Sequence, residues 1–206
     1  MPTQKFKTLE DCNTFVTMNK KKKKIIYDLN EDVMGVYAIS VVEMPAIEAN
    51  FIALSGKQEV RLKVDNERRM LYGPILIPDK EILRVNKDTG EEYLIEFPAA
   101  TIEKAVHQLM KNGHQGDHTY EHQFKLNGMC VVEIWIKEGE SDKSVHFGMD
   151  YPIGTAFAGV KVDNDEVWNQ AKLGNIKGFS IEGEFMPSEE SDLLSAIKNA
   201  LSSANK

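Results

Sequence analysis

Cysteine is nearly absent from this chain: Cys12 and Cys130 are the two among 206 residues. They are too few and too far apart for a disulfide framework or a paired-cysteine metal site, so a reducing compartment is the expected setting. Long apolar runs are missing as well. No stretch approaches the ~20 apolar residues of a membrane-spanning helix, and the N-terminus lacks the apolar core of a signal peptide. No membrane partner is therefore expected, and the protein is expected to be intracellular where it is made. Positive charge is in deficit, with 25 Lys and Arg against 32 Asp and Glu, a formal charge of −7 and a pI near 5.3. Phosphate neutralisation needs a net basic face, so specific nucleic-acid binding is not expected. A glycine-rich phosphate cradle is also lacking. Asp88-Thr89-Gly90 reads as a turn, and no cofactor is expected.

What is present is an ordinary apolar fraction of 42%, enough at this length to bury a core without staples. Three parts follow one another. Residues 1–32 read as a flexible polar and basic arm, because the run Lys20 to Lys24 places five like charges side by side. Residues 33–186 alternate short strands with two helices. Residues 187–206 read as a terminal helix with a polar tail, Ser188 capping it and Leu193, Leu194, Ile197 and Leu201 sharing one face. Within the central part, Pro98 precedes a helix from Ala99 to Met110 that Asn112-Gly113 ends. A shorter helix is capped by Asp163 or Asn164 and stopped by Gly174. Strands are predicted at 36–42, 59–64, 69–77, 92–97, 121–124, 129–137, 156–162 and 179–185. Many short strands without regular helix alternation predict an α+β, mainly β fold, a small antiparallel barrel with helices packed outside.

The stretch Gly178-Phe179-Ser180-Ile181-Glu182-Gly183 carries the most chemistry. Ser180 lies in an alternating run that reads as a strand, and the flanking glycines are expected to leave room for a substrate backbone. A hydroxyl needs a neighbouring base titrating near neutrality, and imidazole supplies one. His122, in Thr119-Tyr120-Glu121-His122, precedes Lys125-Leu126-Asn127-Gly128 and an apolar strand. Asn-Gly between extended runs signals a hairpin, so His122 is expected near its mouth. Cys130, inside the apolar strand, reads as a buried small hydrophobe rather than a nucleophile.

The order of these pieces resembles a known family. Thr119-x-x-His122, then Val131-Val132-Glu133-x-Trp135-Ile136, Pro152-x-Gly154-Thr155, Lys161-Val162, Glu166-Val167-Trp168 and Gly178-Phe179-Ser180-Ile181-Glu182-Gly183 look like the XkdF-like serine proteases of tailed phages and prophages. The resemblance covers roughly residues 33–186. It implies kinship with the prohead (head-maturation) proteases and, more distantly, the herpesvirus maturation proteases, which have a small β-barrel wrapped by helices. It further implies Ser180 as nucleophile and His122 as base. The implied substrates are phage scaffold and major capsid protein precursors, and the implied location is the host cytoplasm, inside the prohead. Self-association and cleavage of its own tails fit the same picture. In relatives a strand resembling 36–46 follows the serine strand, so this chain looks circularly permuted. A polar residue, His or Glu, begins that strand in relatives, whereas Tyr37-Ala38 stands here.

The third catalytic member is therefore open. Glu182 shares a strand face with Ser180, being two residues on. Glu133 sits in an apolar run, where a carboxylate needs a partner. Either could hold the imidazole in the tautomer that accepts the serine proton. Backbone N–H groups near Ser180, helped by Arg68, Arg69 or Arg84, are candidate oxyanion donors. Two other classes compete with an active enzyme. One is a silent scaffold or head-assembly protein of the same fold, and the other a metal-binding module using His114, His118 and His122. Gly113, Gly116 and Asp117 make that stretch a loop, so no metal site is expected.

Overall fold

The computed structural model describes residues 22–30, 33–45, 63–65 and 68–188. The terminal helix expected after Pro187 lies outside the described residues, as does most of the N-terminal arm. The lysine run does not wholly belong to an arm, however. Lys23–Asp28 is a strand, β1.

The strands that follow are β2 (Gly35–Val42), β3 (Lys63–Asp65), β4 (Met70–Leu76), β5 (Ile82–Val85) and β6 (Glu92–Glu96). Helix α1 (Ala99–Lys111) and a 3₁₀ turn (His114–Gly116) lead to β7 (His118–Tyr120), β8 (Phe124–Leu126) and β9 (Met129–Ile136). The short α2 (Lys143–His146), β10 (Ala156–Val162), α3 (Asp165–Lys172), β11 (Gly178–Glu184) and β12 (Met186–Pro187) complete the order. The fold is mainly β with helices packed outside.

The strands do not close into one barrel. They form three four-stranded sheets, in the orders β12-β1-β6-β5, β3-β4-β10-β9 and β11-β2-β7-β8. No backbone ladder joins the edges of one sheet to the next among the described residues, and β4 and β10 show why. Both strands bury side chains on both faces. Leu71, Ile75, Ala156, Ala158 and Val160 enter the main core, whereas Met70, Tyr72 and Phe157 enter a second cluster with Met149 and Tyr151. A sheet covered on both faces is a layer rather than a barrel wall with a solvated outside.

Helix α1 supplies Ile102, Ala105, Val106 and Leu109 to the main core, at the i, i+3, i+4, i+7 spacing of a single face. Pro98 stands at its N-cap, and Gly113, at φ 79°, follows the C-cap Asn112. Asn164 caps α3 by accepting from the N–H groups of Glu166 and Val167. Thr101 on α1 donates to the Tyr27 carbonyl, and Lys104 pairs with Asp28 at 3.0 Å, fastening β1 to the helix. At the other edge Tyr27 and Asp28 pair with Pro187 and Met186.

Candidate active site

The sheet β11-β2-β7-β8 builds the site. Its register aligns three hydroxyl residues in one row: Ser180 on β11 faces Ser40 on β2, which faces Thr119 on β7. A second row sets Glu182 opposite Ala38. Ser180 is 5% exposed and Ser40 fully buried, so the row is held by the sheet rather than by loops.

His122 arrives from a tight turn. Of the expected strand at 121–124, Phe124 begins β8 and residues 121–123 are instead the turn between β7 and β8: the Gln123 N–H donates to the Tyr120 carbonyl at 3.0 Å. Both central residues, Glu121 (φ 51°) and His122 (φ 58°), are left-handed. The loop between the paired Tyr120 and Phe124 has three residues, and positive φ at both central positions of its Tyr120–Gln123 turn is the pattern of a type I′ turn, which asparagine and glycine usually supply. For non-glycine residues this costs roughly 1–2 kcal/mol each. Local hydrogen bonds offset it: the His122 N–H donates to Ser40 Oγ at 3.0 Å, and the Glu121 N–H to the Val41 carbonyl at 3.2 Å. The Glu121 carboxylate also accepts from the Glu43 N–H at 2.6 Å. Asn127-Gly128, expected to turn a hairpin, instead carries the chain from β8 to β9 in another sheet, and Gly128 accepts from the Asp163 and Asn164 N–H groups.

The turn delivers the imidazole to the serine. His122 Nε2 lies 3.0 Å from Ser180 Oγ, and Nδ1 lies 3.4 Å from Glu182 Oε1. The Thr119 hydroxyl donates to the same Glu182 oxygen. A proton on Nδ1 faces the carboxylate, which leaves the Nε2 lone pair to accept from the serine hydroxyl. His122 is partly open to solvent while Glu182 is mostly covered.

Glu133 lies elsewhere. It is on β9, where it accepts from the Tyr72 hydroxyl at 2.9 Å and bonds Lys143. Lys143 in turn sits over the rings of Tyr72 and Trp135, at 5.0 and 4.9 Å. The partner that Glu133 looked in need of comes from other elements, Tyr72 on β4 and Lys143 on α2, in a cluster away from the serine. Of the two candidate acids, Glu182 is the one the fold sets beside His122.

Other expectations are also revised. A Cβ on Gly178 would meet the Pro45 ring at 2.6 Å, and one on Gly183 the Gly35 carbonyl oxygen at 2.8 Å. These glycines therefore serve close packing inside the sheet, and Gly183 also lines the cavity beside Ser180. Cys130 is exposed, because Met129 and Val131 take the inward positions of β9. Arg69 pairs with Asp165 at 2.8 Å and lies over Trp168; of the three candidate arginines, Arg84 lines the cavity beside Ser180. The histidines do not converge as metal ligands. His114 pairs with Asp117 at 2.9 Å, and both nitrogens of the buried His118 lie 3.1 Å from carbonyls, those of Ile39 and Gln115. No metal-type cluster occurs among the described residues.

Sequence reasoning did not find Ser40. Nothing in Ala38-Ile39-Ser40-Val41 marks it off from any serine on a buried strand. Its hydroxyl accepts from His122 N–H and donates to the Thr119 carbonyl at 3.3 Å, so one oxygen joins the backbones on both sides of the turn. Ser40→Ala is expected to lower kcat by about 10- to 100-fold with little change in KM, since a displacement of the base by ~1 Å is felt mainly in the chemical step. Steady-state kinetics on protein verified as folded checks this; an unchanged kcat would show that the turn keeps its shape without Ser40.

Burial pushes the His118 pKa below the ordinary histidine value, outweighing the two carbonyls and Asp117, which act the other way. A group depressed on folding contributes stability that is fully present above about pH 6.5, its unfolded value. That stability is lost as pH falls through the folded pKa. An NMR titration of the His118 ring is expected to give a midpoint below the ordinary value, and a midpoint above it would contradict this balance.

A sequence model of the family described as "Putative phage serine protease XkdF" matches residues 58–188. The chain belongs to that family. The match includes Thr119, His122, Ser180 and Glu182, while β1 and β2, with Ser40, precede it. The chain is also 30% identical over 153 residues to the uncharacterized protein YqbD of Bacillus subtilis (strain 168). That alignment covers 70% of this chain and 43% of the relative, so the chain spans less than half the length of the curated protein it matches. No solved structure matches significantly. No helix among the described residues is long and apolar enough to cross a membrane.

Proposed function

We propose that this chain is a serine endopeptidase of phage head maturation, with Ser180 as nucleophile, His122 as general base and Glu182 as the acid that orients it. The single observation that carries the reading is the pair of contacts on one imidazole, Nε2 to Ser180 and Nδ1 to Glu182. Ser180 Oγ attacks the scissile carbonyl carbon as its proton passes to His122 Nε2, and the imidazolium gains the neighbouring carboxylate. His122 then returns the proton to the leaving amine, giving an acyl-enzyme on Ser180. Water, deprotonated by the same imidazole, releases the acid product. Thr119 holds the carboxylate and Ser40 holds the turn. Both act through their neighbours.

Ala38 gives this reading further support. The place near Tyr37-Ala38, where relatives carry a His or Glu, holds no acid here, and Glu182 is registered against Ala38. The acid would thus come from the adjacent strand instead of β2. The antiparallel pairing of β2 with β11 is also what a circular permutation would preserve, because strands that were once consecutive remain neighbours.

The substrates we assign are scaffold and major capsid protein precursors, cleaved inside the prohead within the host cytoplasm. Co-expression of the full chain with the head precursors of its own phage tests this by mass spectrometry of the products. Defined cleavage is expected with the wild type and none with Ser180→Ala. Intact precursors in both cases would favour the silent head-assembly protein instead.

A further inference from the structure

Glu121 stands at a left-handed position, φ 51°, where asparagine or glycine would cost the turn least. A longer side chain persists at such a position where its surroundings over-determine it. The Glu121 carboxylate accepts from the Glu43 N–H at 2.6 Å, one residue beyond the end of β2. The Glu43 carboxylate in turn accepts from the Tyr120 hydroxyl at 2.7 Å. Each side thus supplies one carboxylate and one donor, and the two bonds close a clasp between β2 and the turn. The bond to Glu43 leads the causes that hold the Tyr120 phenol above its ordinary value, so the phenol keeps the proton it donates.

The same strand end also touches the strand of the nucleophile. The Val42 carbonyl accepts from the Lys177 N–H at 3.0 Å, and Val42 is registered against Gly178. The buried Pro45 ring lies where a Cβ on Gly178 would fall, and Gly178 is two residues before Ser180. Residues 42–45 therefore contact the turn of His122 on one side and the strand of Ser180 on the other. Ser40 fixes the His122 backbone from within the sheet, whereas Glu121 fixes the turn at its exposed end.

We propose that Glu121 is a positioning residue: through the end of β2 it sets the imidazole of His122 against the Ser180 hydroxyl. This role rests on that proposed for His122 as base. The neutral Glu43 N–H needs an acceptor at the reach of a glutamate side chain, with or without charge. Glycine relieves the left-handed backbone but removes that acceptor, whereas glutamine keeps it. Stability and activity are therefore expected to part at this residue.

Full-length wild type, Glu121→Gly and Glu121→Gln are compared by urea unfolding, by amide hydrogen exchange at His122 followed by NMR, and by the rate at which a fluorophosphonate labels Ser180. Glu121→Gly is expected to keep or raise the urea midpoint, because glycine adopts positive φ without a Cβ clash. Its His122 N–H is expected to exchange at least about tenfold faster, as the turn opens locally. Its Ser180 is expected to be labelled about 10- to 100-fold more slowly, from a base displaced by ~1 Å. Glu121→Gln is expected to restore both rates to within about threefold of wild type, its amide oxygen accepting the same bond without charge assistance. An unchanged labelling rate in Glu121→Gly overturns the assignment, as does an equal loss in Glu121→Gln. So does a labelling loss matched by a fall in the urea midpoint, which marks a structural role alone. A wild-type Ser180 that is inert to the probe overturns the protease reading itself, and the positioning role with it.

Discussion

Replacing Ser180 by alanine is expected to abolish peptide-bond cleavage, by a factor of about 10⁶ if the site behaves as a nucleophile–base unit. The fold should survive, because the change removes one oxygen from a strand whose ladder to β2 is made by backbone atoms. His122→Ala is expected to be nearly as damaging. The double variant should be little worse than either single one, since each group is useless without the other. Turnover of a peptide substrate with circular dichroism as the folding control measures this. Additive losses would mean that the 3.0 Å contact between Nε2 and Oγ is incidental to the reaction.

The second large effect concerns the acid. Glu182→Gln keeps the shape of the side chain but removes the charge beside Nδ1, and it presents an amide that can stabilise the wrong tautomer. In a serine triad the corresponding acid-to-amide change lowers kcat by about 10⁴. A loss of two to four orders of magnitude is expected here, given that His122 is partly open to solvent and can recover some of its orientation from water. Glu133→Gln is the control. It weakens the contacts to Tyr72 and Lys143 and is expected to reduce stability, measured by urea denaturation, while leaving kcat within about a fewfold of wild type. A large kcat loss in Glu133→Gln with none in Glu182→Gln would reverse the assignment.

Much of the site was legible because a strand places alternate residues on one face. Ser180 and Glu182 could be paired from spacing alone, and the Thr-x-x-His motif acquires a reason once Thr119 is seen holding the carboxylate that faces His122. The turn was not legible. Glu121-His122 carries none of the usual type I′ residues, and its left-handed backbone is secured by Ser40 and Val41, some 80 positions away. Asn127-Gly128 drew the hairpin to the wrong place because local turn chemistry says nothing of which sheet the next strand joins. Helices α1 and α3 were readable from caps, stops and periodicity. Strand β1 was hidden in a lysine run whose exposed charges said nothing of Ile25 and Tyr27, which pack against the core. The separation into three sheets also lay beyond pattern, because β4 and β10 bury both faces and a barrel wall of the same composition would read alike.

The proposed catalysis turns on activation of Ser180 by His122. Its most direct measurement is treatment of the native full-length chain with a fluorophosphonate, followed by peptide mass spectrometry to locate and count the adduct. One adduct per chain is expected, on Ser180, formed at least about a hundredfold faster than in His122→Ala, where the positioned base is removed. No adduct on Ser180, or one formed equally fast without His122, would contradict it.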